Sequence, residues 1–222
     1  MNLTADSLGL STLVFGWLLL LASLAWTLKR APWHKVKGDR GAQNVWLGMT
    51  LIVFLVWQFG AQLEEGIHFH FLLMTLMTLM FGVEFALFGA VLVLIGLSFY
   101  TGMGWQAIGI NATLMALVPI WITYGFVRIS ERYLEQNFFV YVFFNGFLAG
   151  GIAVVLTLIG GGVIMGLNEV YSFEKLARDF FPFIPLMATP EGFINGMLIA
   201  MLIVLKPHWI ATFHDETHLK GK

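Results

Sequence analysis

Two histidines, His68 and His70, open an apolar run that continues through Met74, Met77 and Met80 to Gly82. Imidazole nitrogen is a ligand for most divalent transition metals, and thioether sulfur favours Cu⁺. Glu64 and Glu65 stand just before the run and could draw a cation towards it. On a helix each residue turns about 100°, so His70, Met74, Met77 and Phe81 would share one face. His68, Thr75 and Thr78 would fall on nearly the opposite side. Both histidines can reach one ligand only if the chain is unwound there, which Gly66 permits. Ionisable groups inside a membrane are costly when unpaired and mark function by default. The plainer alternative makes His68 an interfacial residue and the methionines packing filler.

The elements that must position these residues follow from composition. Hydrophobic residues make up 59% of the 222 and charged residues 11%, against about 25% charged in a soluble domain. The expectation is an all-α polytopic membrane bundle forming one integral membrane domain over 1–222. No phosphate-binding loop of the Walker type occurs. The absence of cysteine excludes disulfides, thiolate metal sites and thiol nucleophiles. A net charge of −1 suggests no nucleic-acid partner. Before the first apolar run stands Asp6 and no basic residue, unlike a cleavable signal peptide.

Hydropathy predicts about seven spans, near 10–28, 45–61, 67–81, 84–99, 112–127, 138–165 and 182–205, with a tail over 206–222. The third is short, about 22 Å at 1.5 Å per residue, so part of its backbone belongs in a protein-lined cavity. A tight turn follows it. Residues 100–111 read as a glycine-rich external or re-entrant loop, and 168–181 as an external polar segment. The Gly160–Gly162 run predicts a bend or break. Thr189-Pro190-Glu191 reads as N-cap, N1 proline and first-turn acid, so the last helix could begin there. Glu191 would then interact with its own helix N-terminus. Three small-xxx-small pairs, Gly146/Gly150, Gly162/Gly166 and Gly192/Gly196, predict close helix packing. Ten of the twelve Lys and Arg fall on one side of this arrangement. That places the N-terminus outside and the C-terminus in the cytoplasm of a bacterial-type inner membrane.

Gln58, Gln62, Asn111 and Met115 are further candidates to line a cavity. The tail holds His208, His214 and His218; the last two have helical metal-ligand spacing, although a solvated tail is the plainer expectation.

The order of residues resembles the CbiM/NikM family, the substrate-binding membrane subunits of cobalt and nickel energy-coupling-factor transporters. Phe15-Gly16-Trp17 lies at a family-like distance from the start. His70 is followed twelve residues on by Gly82, with Val83 where the family has proline. Ile108-Gly109-Ile110-Asn111 followed by Met115 matches the family's Leu-Gly-x-Asn leading to Met. The resemblance implies an N-terminus folded into the bundle, with a metal held by the terminal amine, the second residue and a mid-chain histidine: here Met1, Asn2 and His70. Asn2 departs from the family's histidine. His68 could supply that imidazole, the methionine stripe could line a copper site, or the scaffold could serve as a metal-free structural subunit. The implied role is non-enzymatic uptake of a divalent metal, Co²⁺ or Ni²⁺ first, with Cu as the alternative. No permanently bound cofactor is implied. The implied partners are the metal, membrane lipid, and a separate transmembrane coupling subunit with its ATPases.

Overall fold

A computed structural model describes residues 3–64 and 67–213, with the side chains of 61–64, 67 and 68 outside that description. Helices α1 (Leu10–Arg30) and α2 (Arg40–Gln58) are joined by a short basic loop. Asp39 starts α2 by accepting a hydrogen bond from Ala42 N, which moves its beginning five residues ahead of the predicted span. A short antiparallel hairpin follows, β1 (Ala61–Glu64) with β2 (Ile67–Phe69), in which Gln62 pairs with His68. The predicted span over 67–81 is therefore corrected: only its second half is helical.

The helical stretch α3 (Met74–Thr101) breaks at Gly82, at φ 79° and ψ 173°. A straight helix would separate residues 77 and 89 by about 18 Å. Instead the Met77 methyl lies 2.7 Å from where a Cβ on Gly89 would sit. The chain thus doubles back at Gly82, where the sequence predicts a tight turn. The short arm 74–81 lies along the long arm 83–101. All seven residues from Met74 to Met80 are buried, so the short arm is the axis of the bundle.

Helix α4 (Trp105–Tyr133) and helix α5 (Phe138–Leu167) each carry a π-helical segment, at Thr113–Leu117 and Tyr141–Leu148. The loop before α4 shrinks to 102–104, with Gly102 and Gly104 at positive φ. After the short α6 (Phe173–Asp179) comes α7 (Ile184–Leu205). Among the described residues, five helical stretches are long and apolar enough to cross a membrane: α1, α3, α4, α5 and the one containing α7. The other two predicted spans correspond to α2, less apolar through Arg40, Gln43 and Asn44, and to the short arm 74–81.

Close packing follows the glycines. The α5 and α7 backbones meet where a Cβ on Gly146 would lie 3.2 Å from Gly196 Cα, and one on Gly192 2.6 Å from Phe147 O. Gly16 of α1 and Gly109 of α4 press together so tightly that a Cβ on either would lie 2.4 Å from the other helix's backbone nitrogens. The Gly160–Gly162 run does not break α5. Gly162 instead makes room for the Phe181 ring, 2.4 Å from its Cβ position. Nor does the last helix start at Pro190. It starts at Ile184, Pro190 lies inside it, and the Thr189 hydroxyl donates to Pro185 O.

The segment after α7 is not a free tail throughout. Ile210 and Phe213 are buried. Ala211 N donates to Met80 O and Thr212 N to Leu79 O. These are carbonyls that the break at Gly82 leaves without helical partners. His214 and His218 lie outside the described residues.

Candidate functional site

The site is built on the unwound segment that joins β2 to the short arm. Residues 70–73 are apolar except for His70, yet they do not continue the helix. Leu73 sits at φ 55° and ψ 13°, a left-handed conformation unusual for leucine. The segment's free backbone donors are met from α7. The Glu191 carboxylate accepts from Leu72 N (2.9 Å) and Leu73 N (2.8 Å), and Asn195 Oδ1 accepts from Leu76 N (2.8 Å). Asn195 Nδ2 in turn donates to Glu191 Oε1 at 2.9 Å. A helix N-terminus presents unsatisfied N–H groups and partial positive charge. Here a carboxylate and a carboxamide from another helix answer both. Glu191 therefore caps the short arm rather than its own helix.

His70 is 8% exposed. It is the one buried histidine among the described side chains. Its ring lies 5.4 Å from the Trp57 ring, centroid to centroid, and its Nδ1 3.2 Å from Phe71 O. Trp57 Nε1 donates to Leu72 O, pinning the segment from the α2 side. His70 and Glu191 line the same small cavity of about 10 Å³, together with Thr157 of α5 and Met187 of α7. That is room for about one water or one ion.

The other predicted site residues separate around this centre. Met74, Met77 and Met115 are fully buried but do not line the cavity. Because His70 precedes the helix, it does not share a helical stripe with Met74 and Met77. Gln58 also stays out of the cavity, with Nε2 donating to Phe54 O at 3.3 Å. Gln62 and Glu64 lie in β1 and His68 in β2, so strand replaces the helix on which the two histidines would diverge. The side chains of these three, and all of Met1, Asn2 and Glu65, lie outside the described residues.

Asn111 grips the chain's beginning. Its Oδ1 accepts from Leu3 N and its Nδ2 donates to Leu3 O, both at 2.9 Å, with Leu3 3% exposed. Ala5 N adds a bond to Met103 O. The N-terminal segment from Leu3 onward is thus folded into the bundle. Glu191, Asn195 and Met187 were not assigned to this site from sequence. Glu191 and Asn195 are polar residues one helical turn apart in an apolar segment, but nothing local names the segment they hold.

By its family match this bundle of apolar helices around a buried half-helix, with a histidine and a carboxylate on one small cavity, is a membrane transporter component and not an enzyme. The sequence matches the family model described as cobalt uptake substrate-specific transmembrane region over residues 2–209, and the chain belongs to that family. No curated protein matches it by sequence. Two solved structures share its fold, one titled as a truncated transition metal transporter and the other as a transition metal transporter. Each has 16% identity and a TM-score of 0.79, covering 92% of this chain; the match spans 99% and 93% of the respective chains.

Proposed function

We propose that this protein is the substrate-binding membrane subunit of an energy-coupling-factor uptake system for a divalent transition metal, Co²⁺ or Ni²⁺ first, with His70 as its central ligand. The observation that carries the reading is a buried imidazole on an unwound, externally capped segment at the axis of a cobalt-uptake-family bundle. The capture of Leu3 by Asn111 supports an N-terminus that reaches into the bundle, so that the Met1 amine serves as a second donor. The basic residues support an outside N-terminus: Lys29, Arg30, Lys35, Lys37, Arg40, Arg128, Arg132 and Lys206 gather at one end of the bundle, against Lys175 and Arg178 at the other. Import energy comes from a coupling subunit and ATPases, a reading in keeping with a sequence that holds no Walker-type phosphate-binding loop. The copper alternative loses Met74 and Met77, because neither thioether lines the cavity.

Metal stoichiometry and affinity of the purified protein test the reading. His70→Ala should remove most bound Co²⁺ or Ni²⁺, and Asn2→His should tighten binding by restoring the family's second imidazole. Equal binding by wild type and His70→Ala would refute His70 as the ligand, and no binding by either would leave the fold as a metal-free structural subunit.

A further inference from the structure

We infer that Glu191 supplies the negative charge of the His70 cavity, making it a site for a divalent cation taken by mixed nitrogen and oxygen donors. The inference rests on the reading of His70 as a metal ligand.

Glu191 is the one buried acid among the described residues, at 2% exposure. No described Lys or Arg forms an ion pair with it. Three N–H groups donate to its two oxygens: Leu73 N and Asn195 Nδ2 to Oε1, and Leu72 N to Oε2. An ionised carboxylate only accepts, whereas a protonated one must also place its own O–H. Donors on both oxygens favour the charged form of the carboxylate. The short arm behind those donors is eight residues long, and even a long helix presents only about half a positive charge at its N-terminus. That half charge does not by itself balance a full carboxylate. A buried charge costs several kcal/mol, and an acid placed inside a membrane is by default a functional group.

The cavity shows what that function is. Of the residues that line it, His70, Thr157 and Met187 offer nitrogen, oxygen and sulfur donor atoms, and Glu191 is the one acid. A divalent cation entering a space of about 10 Å³ would meet Glu191 and His70 together. Oε2 has one described donor and so keeps acceptor capacity, which allows the same carboxylate to hold the loop and face the ion. An imidazole with a carboxylate oxygen suits borderline divalent ions and not Cu⁺. It also gives the chain a strong donor where Asn2 stands in place of the family's imidazole.

Charge and tethering separate experimentally. Glu191→Gln keeps the side chain's length and loses the charge. Glu191→Asp keeps the charge and shortens the reach to Leu72 and Leu73. Co²⁺ affinity and metal-free melting temperature are measured on both, with His70→Ala alongside, in detergent. The expected result is that Glu191→Gln melts near wild type yet binds Co²⁺ about 30- to 100-fold more weakly, the loss of one charge close to the ion in a low-dielectric setting. Glu191→Asp should melt lower yet bind more tightly than Glu191→Gln. Unchanged binding by Glu191→Gln overturns the inference, as does equal binding by the two variants. Should Glu191→Gln not fold, the infrared difference spectrum of the wild type on adding Co²⁺ decides: a shifted carboxylate stretch supports the inference, and its absence refutes it. Loss of binding in His70→Ala with full binding in Glu191→Gln would sink the Glu191 role alone. Full binding in His70→Ala would sink the His70 reading itself.

Discussion

Gly109→Ala tests whether contact between backbones holds α1 to α4. The new Cβ would lie 2.4 Å from Trp17 N and 2.7 Å from Gly16 C and Trp17 Cα. Comfortable carbon contacts lie near 3.5–4.0 Å, so the helices must part by about 1 Å. Every atom met belongs to backbone, and no rotamer change relieves the contact. Overpacking of this kind costs about 1–3 kcal/mol, while replacing a helical glycine by alanine returns about 1 kcal/mol. The expected net loss is therefore up to about 2 kcal/mol. Gly125, in the same helix, has nothing within 4 Å of its Cβ position. Gly125→Ala should keep the propensity gain and lose nothing. Melting in detergent, followed by circular dichroism, should rank Gly125→Ala at or above wild type and Gly109→Ala below it. Adding Gly16→Ala to Gly109→Ala should cost less than it does alone, since both force the same contact apart. A Gly109→Ala protein as stable as Gly125→Ala would show that the two helices are not held by this approach.

Asn111→Ala should loosen the N-terminal segment by leaving Leu3 N and O unpaired, at about 1–3 kcal/mol for each buried group; proteolysis near the N-terminus should accelerate while the α5–α7 core stays protected. If Met1 is a ligand, an N-terminal extension should abolish metal binding and a C-terminal tag should not, a difference that stoichiometry reads directly. Cysteine placed at Lys37 should resist impermeant thiol reagents in intact cells and cysteine at Lys175 should react; the reverse pattern would invert the topology. Thr212→Val should destabilise the bundle by about 1 kcal/mol, because the Thr212 hydroxyl donates to Leu79 O; thermal melting at the level of wild type would show that this bond is not needed.

The helical bundle and its close contacts were legible because their causes are local. Gly146, Gly150, Gly192 and Gly196 announce close packing by spacing alone, and the helices they sit on do meet. Gly82 announces a turn because its φ of 79° suits a residue without Cβ. The unwound segment was legible only as a condition attached to Gly66. Phe69 to Met80 reads as an unbroken apolar helix, and the acceptors that let it begin at Met74 lie 118 and 119 residues away, on Glu191 and Asn195. Local cues misled for a related reason. Thr189-Pro190-Glu191 has the composition of a helix start, but α7 is already under way from Ile184, and its acid is turned outward to a neighbour. Gly160–Gly162 has the composition of a break, but Phe181 and Phe180 take the side-chain space at Gly162 and Leu114 lies against Gly160. Asn111, flagged from sequence as lining a cavity, is spent instead on holding Leu3.

The short arm at the centre of the bundle is tied at both ends to one neighbour. Glu191 and Asn195 hold the amides at its beginning, and Ala211 and Thr212 hold the carbonyls at its finish. The span from Glu191 to Ala211 therefore acts as a gauge of fixed length against which the arm is cut. One residue added to or removed from α7 between them would slide one set of ties by about 1.5 Å and rotate it by about 100° relative to the other, so both could not be met. Substitutions at exposed positions of that stretch, such as Phe193, Met197 and Met201, are tolerable in a way that insertions are not. For the same reason the arm has no slack of its own: a load on the 210–213 segment reaches the residues beside His70 through a single eight-residue strut.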